Sequence, residues 1–124
     1  MSKLQPYRTW SRKQLYRHSI LVLNMYVSQD SKDYVEICNQ LNIACHSIFW
    51  NPLLEYNGCT VVQDPHHPFP PCLIHDYDCI VEGWTKDNDL KFQRHCELFG
   101  MNESKAKRWF RGVRIGRIYY KYFK

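Results

Sequence analysis

Long apolar runs are missing from this chain. The longest aliphatic stretch, Ile20 to Leu23, falls far short of the ~20 residues that a membrane-spanning helix needs, so no membrane span is expected. The opening MSKLQPYRTW has no apolar stretch of signal-peptide type, which makes synthesis in a cytosol the expectation. No two of the six cysteines are separated by only two residues, leaving a zinc knuckle unsupported. Cys45 adjoins His46 and His95 adjoins Cys96, but neighbours on a regular element point apart and seldom chelate one ion. Mostly reduced, buried thiols without metal are therefore expected. Internal repeats and low-complexity tracts are absent too.

What is present suffices for one compact unit. With 124 residues, 44% of them hydrophobic and 23% charged, the chain can bury roughly two-thirds of its surface as a single domain. Its charge is unevenly placed. Residues 1–18 hold Lys3, Arg8, Arg12, Lys13 and Arg17 and no acid, while residues 103–124 hold eight bases against Glu103. Between them, residues 19–102 hold eleven acids and four bases. This divides the chain into a basic N-terminal arm (1–18), a core (19–102) and a basic-aromatic C-terminal helix or tail (103–124) of the same domain.

Aromatic residues interleave with the bases of both ends, Trp10 and Tyr16 beside Arg12 and Arg17, and Trp109, Tyr119 and Tyr120 beside Arg108, Arg111, Arg114 and Arg117. Such ends could grip phosphates and stack bases. Docking onto acidic protein, with the aromatics as interface anchors, is preferred because no nucleic-acid motif accompanies the charge.

The local pattern predicts an α+β fold. Ser11 to Tyr16 reads as a short helix, Ile20 to Val27 as a strand, SQDSK as a turn and Tyr34 to Cys38 as a returning strand, giving an N-terminal β-hairpin. Leu41 to Tyr56 reads as loop with a helical turn. DPHHPFPPC, with four prolines in nine residues, excludes regular structure until its end, where Pro71 can open a helix running to Gly83. Thr85 or Asp87 can cap a second helix that Gly100 ends. Asn102 can cap a third, with the tail extending it or forming a last strand. The C-terminal half is thus mainly helical.

One constellation could carry chemistry. Residues 72, 75, 79 and 82 form one helical row, and Asp89, Phe92, Gln93, Cys96 and Phe99 form another that is largely apolar. A carboxylate on such a row needs a partner, and His75 on the adjacent helix is the candidate. The pair is either a structural hydrogen bond or a catalytic one, in which Asp89 fixes the tautomer and the second imidazole nitrogen acts on water. Asp76 points about 100° away around the helix and could ligate a hard cation.

The run CLIHDYDCIVEGWTKDNDLKFQRHCELFG, with the later GVRIGR, resembles the phage-encoded domain of unknown function 1353. His75, Asp76 and Tyr77 match its HDY, Thr85 its hydroxyl, Asp89 and Phe92 its aspartate and large apolar residue, Gly100 its glycine, and Val113, Arg114 and Gly116 its last segment. The likeness spans about residues 34 to 117 and departs at Asp78 and Cys79, where the family has an apolar residue and a tyrosine. An upstream family aspartate has Ala44 or Asn42 in its place.

The resemblance implies a small virion-associated protein of tail, neck or baseplate, made in the host cytoplasm and held in an oligomeric assembly by other phage structural proteins. No cofactor is expected on that reading. The alternative is a hydrolase, phospholipase-like or other, using His75, Asp76 and Asp89 with Ca2+ or another divalent cation, although no glycine-rich calcium loop precedes His75. The missing upstream acid favours the structural role.

Overall fold

The computed structural model describes residues 9–55, 69–83 and 85–123, with the backbone alone at 54–55, 113 and 115–123. Five helices of twelve residues or more and one short turn of helix make up the fold: α1 (Arg12–Tyr26), α2 (Lys32–His46), α3 (Pro52–Glu55), α4 (Pro70–Val81), α5 (Lys86–Leu98) and α6 (Glu103–Phe123). No strand occurs among the described residues. The expected α+β class is therefore corrected to an all-helical bundle, and the tail after residue 117 continues α6. The expected hairpin is the α1–α2 pair.

The reason lies in caps and in burial spacing. Ser11 opens α1 with a capping box: Gln14 N donates to Ser11 Oγ (3.1 Å) and Ser11 N to Gln14 Oε1 (2.7 Å). Leu15, Ser19, Val22 and Leu23 then face inward at helical intervals, whereas the strand reading would place Asn24 on the same face as Val22. Ser31 caps α2 by accepting from Tyr34 N (3.1 Å), and Ile37, Leu41, Ala44 and Cys45 form its buried row. Tyr34 Oη donates to Asn24 Oδ1 (2.7 Å), fastening the two helices together.

Arg12 fixes the far end of that pair. Its guanidinium donates to the carbonyls of Cys45 (3.2 Å), Ser47 (2.5 Å) and Trp50 (2.9 Å), oxygens that the C-terminus of α2 and the following turn leave without helical partners. Trp50 Nε1 donates to Ala44 O (2.6 Å) and its ring meets Tyr77 of α4 edge-on at 5.8 Å. α4 packs on α1, α2 and α5, and α5 packs on α6, so α4 lies where the two halves join.

The C-terminal half follows its caps. Pro70 and Pro71 occupy the first turn of α4, where their missing N–H groups cost nothing. Thr85 caps α5 by accepting from Asn88 N (3.1 Å), and Asn102 caps α6 by accepting from Lys105 N (2.8 Å). α5 ends in a Schellman arrangement: Met101 N bonds Cys96 O and Gly100 N bonds Glu97 O, both at 3.1 Å. Gly100 has φ +87°, and a Cβ there would lie 3.1 Å from the Tyr26 ring. Phe69, Phe92, Phe99 and Trp109 form the aromatic centre, with Phe92 stacked on Trp109 at 6.4 Å and Phe69 edge-on to Phe99 and Trp109.

His95, 1% exposed on α5, has no hydrogen-bond partner on either ring nitrogen among the described residues. Burial, with the nearby Arg94 and Lys91 charges adding to it, pushes its pKa down to about 3. The folded protein thus holds this ring neutral, while the unfolded chain takes up a proton below about pH 6.5. Stability is therefore unaffected by His95 above pH 6.5 and is lost as the pH falls toward 3, by up to about 1.4 kcal/mol per pH unit. His95→Leu is expected to be at least as stable as wild type at pH 7 and to lose about 2 kcal/mol less between pH 7 and 5. Urea unfolding of both proteins at the two pH values measures this, and equal losses would show that His95 has an interior partner.

Candidate metal centre

Asp89 sits in the first turn of α5, where the helix dipole favours a negative charge, yet its side chain is 2% exposed. Two cationic or polar groups reach it from two other helices. His75 Nε2–H on α4 donates to Asp89 Oδ1 at 2.7 Å, the pairing expected from the two helical rows. Arg114 Nη1 on α6 donates to Asp89 Oδ2 at 3.1 Å. His75 is 11% exposed and Arg114 28%, so the carboxylate is internal and its partners lead outward. The imidazole also packs on Phe92 (4.9 Å between ring centroids), and Arg114 lies 5.8 Å over the Phe110 ring.

A third donor completes the site. Cys79, one helical turn beyond His75, places Sγ 3.6 Å from the same Nε2 atom. A ring nitrogen of His75, the Cys79 sulfur and a carboxylate oxygen of Asp89 all lie within 4.8 Å of one another. The expectation that the chain uses no cofactor is corrected by this convergence, since three deprotonatable ligand atoms meet at one point in the interior. A tetrahedral zinc ion with ordinary bond lengths separates its N and S ligands by about 3.6 Å and its N and O ligands by about 3.3 Å. The N–S separation is already there, and the N–O pair must open by roughly 0.6 Å as the ion replaces the shared proton.

The arrangement does not make a cysteine–histidine nucleophile. In a relay the thiol faces one ring nitrogen and the carboxylate the other. Here both face Nε2, and the proton that Nε2 gives to Asp89 leaves it no lone pair for Cys79.

Next to the site, Lys91 Nζ lies 3.0 Å from Asp78 Oδ2, a second ion pair between α4 and α5. Burial pushes the Asp78 carboxyl above its ordinary pKa, with Lys91 pulling it back. Asp76, the expected cation ligand, is half-buried and not among the converging donors.

The other expected site residues are dispersed. Trp10 packs half-buried on the core with its ring 5.3 Å from His18, and Tyr16 packs against His46 at 5.6 Å. Arg12 is the clamp on α2, and Arg17 is exposed. On α6, Trp109 is buried, Arg108 and Arg111 are exposed, and Arg114 belongs to the site. The side chains of Arg117, Tyr119 and Tyr120 lie outside the described residues.

Cys79 and Arg114 were not among the expected site partners of Asp89. The signal for Cys79 was the His-x-x-x-Cys spacing within the row 72, 75, 79 and 82, which a search for cysteines two apart passes over. Cys38, Cys45, Cys79 and Cys96 are outside any disulfide, whereas Cys72 is disulfide-bonded. Burial pushes the Cys45 thiol up to about 12 and the Cys96 thiol up as well, which makes both inert packing groups.

Asp89→Ala is expected to cost on the order of 2 kcal/mol, because it strands a nearly buried imidazole and a guanidinium together. Cys79→Ser should cost less than about 1 kcal/mol in metal-free protein, the thiol being at the edge of the bonded set. Denaturant unfolding in the presence of a chelator gives both values, and a neutral Asp89→Ala would remove the carboxylate from its place at the centre of the helix contacts. Among known proteins, no family model matches this chain, and no curated protein or solved structure matches it either.

Proposed function

We propose that the chain is a metal-dependent hydrolase in which His75 Nε2, Cys79 Sγ and Asp89 Oδ1 hold one divalent cation. The observation that carries this reading is that Asp89 Oδ1 and Cys79 Sγ both converge on a single imidazole nitrogen, His75 Nε2, at 2.7 and 3.6 Å. One nitrogen, one thiolate and one carboxylate oxygen suit a borderline-soft ion such as zinc, while calcium takes six to eight oxygen ligands. Three protein ligands leave a fourth position, where such an ion lowers the pKa of a bound water toward about 7.

The chain's own residues set the rest. Arg114 holds Oδ2 and so presents Oδ1, monodentate, toward His75 and Cys79. Phe92 against the imidazole fixes the ring plane. The partly exposed guanidinium is also placed to meet negative charge developing on a substrate oxygen.

Purified protein stripped with chelator should rebind one zinc per chain. Cobalt in its place should show a thiolate charge-transfer band that Cys79→Ser abolishes. Arg114→Met, which frees the ligand carboxylate, should weaken zinc binding about 10–100-fold. Binding unchanged in Cys79→Ser, or none at micromolar zinc, would overturn the site.

A second reading, a virion-associated subunit held by protein contacts, would place such a contact at the apolar pair Ile48 and Phe49, 88% and 74% exposed between α2 and α3. Co-purification with intact particles, lost in an Ile48→Ser/Phe49→Ser variant, is the expected outcome on that reading. Absence of the protein from particles would eliminate it.

A further inference from the structure

We infer that the substrate class of this site is the phosphodiester backbone of a nucleic-acid strand, carried along the basic face of α6; as a substrate assignment this rests on the hydrolase reading above. The face and the site share a residue. Lys107, Arg111 and Arg114 stand at i, i+4 and i+7 on α6 and so form one row, spanning about 10 Å along the helix. Lys107 and Arg111 are exposed, Lys107 in a solvent-facing pair with Glu103 (3.1 Å), and Arg108 is exposed beside them. The row ends at Arg114, which is 28% exposed and bonded to the buried Asp89.

A cation row of this kind matches a ligand of repeating charge better than a single anion. One phosphate or carboxylate would meet Arg114 alone and leave the preceding turns unused, whereas a strand can lay successive phosphates on Lys107 and Arg111 while one diester reaches the donors at His75, Cys79 and Asp89. The guanidinium, with five N–H donors of which Nη1 is turned to Asp89, retains others for a non-bridging phosphate oxygen. In the hydrolysis the oxygen of a water forms a new bond to phosphorus and the bond from phosphorus to the leaving oxygen breaks. The water's proton ends on that leaving oxygen, and nothing is oxidised or reduced.

Binding and cleavage of an end-labelled single-stranded oligonucleotide test this, using full-length chain in zinc-loaded and chelator-treated forms, with Arg111→Ala and Lys107→Ala as variants. The expected result is cleavage by the zinc-loaded chain and binding by both forms. The slope of log affinity against log salt should shrink by about 0.7 for each base removed. Arg111→Ala should retain its zinc while its KM for the oligonucleotide rises about 10-fold. Binding with the expected salt slope but no zinc uptake would support the α6 face and refute the metal reading. Zinc uptake with no oligonucleotide binding would overturn the strand proposal and leave the metal site standing. Binding to anionic phospholipid vesicles in preference to the oligonucleotide would overturn it as well.

Discussion

A carboxylate taken out of water is the constraint on which the C-terminal half depends. Leaving Asp89 ionised in the interior would cost several kcal/mol if nothing met its charge. Three sources meet it: the N-terminal turn of α5 on which it sits, the imidazole of His75 from α4 and the guanidinium of Arg114 from α6. Because each oxygen is bound by a different helix, the carboxylate works as a rivet, and α4, α5 and α6 cannot slide past one another without breaking one of the two contacts. Phe92, one turn along α5, carries the same junction in apolar form by touching both the His75 ring and Trp109.

Part of the charge that the ends of the chain carry is used inside the chain itself. Arg12 serves backbone carbonyls that would otherwise lack partners, and Arg114 serves Asp89, so each end supplies one base to the body. Within the acidic middle, Lys91 meets Asp78 and Arg94 meets Glu36. Of the bases left facing solvent on the described part of α6, Lys107, Arg108 and Arg111 gather on the side away from Ala106 and Trp109, while Lys105 lies over the Trp109 ring at 5.6 Å. Among the described residues, what composition presents as two basic arms around an acidic centre is partly self-neutralised, with exposed bases left on α1 (Lys13, Arg17) and along α6.

The helical half was legible because its punctuation is local. Proline at the start of α4, Thr85 and Asn102 as caps and Gly100 as a stop each act within four residues, and the pairing of His75 with Asp89 follows from two rows joined by a short connection. The N-terminal half misleads because Ile20 to Val27 is apolar almost throughout, and a run of that length fits a buried strand as well as a helix. What settles it lies outside the run: the Ser11–Gln14 capping box upstream and the α2 C-terminus, which Arg12 holds from more than thirty residues away. The site was legible to the extent that it was binary. Arg114 stands 25 residues beyond Asp89, and no local rule connects them. Cys79 was hidden differently, as one thiol among six, and only its distance from Nε2 separates it from the packing thiols Cys45 and Cys96.

The donor atoms that make the proposed metal centre are also the ones that hold the fold, and the two uses compete for one position. With a proton between Nε2 and Oδ1, the pair is short and the thiol stands aside at 3.6 Å. With an ion there, the thiol would give up its proton and Nε2 would present its lone pair, so affinity would rise with pH, and His75, Cys79 and Asp89 would share one centre between α4 and α5. Arg114 engages the other oxygen and so holds the carboxylate in place whichever partner Oδ1 has. That division of labour would let a single carboxylate serve both purposes: Oδ2 would keep α6 attached while Oδ1 changed partner, and the N–O pair would open by only a fraction of an ångström.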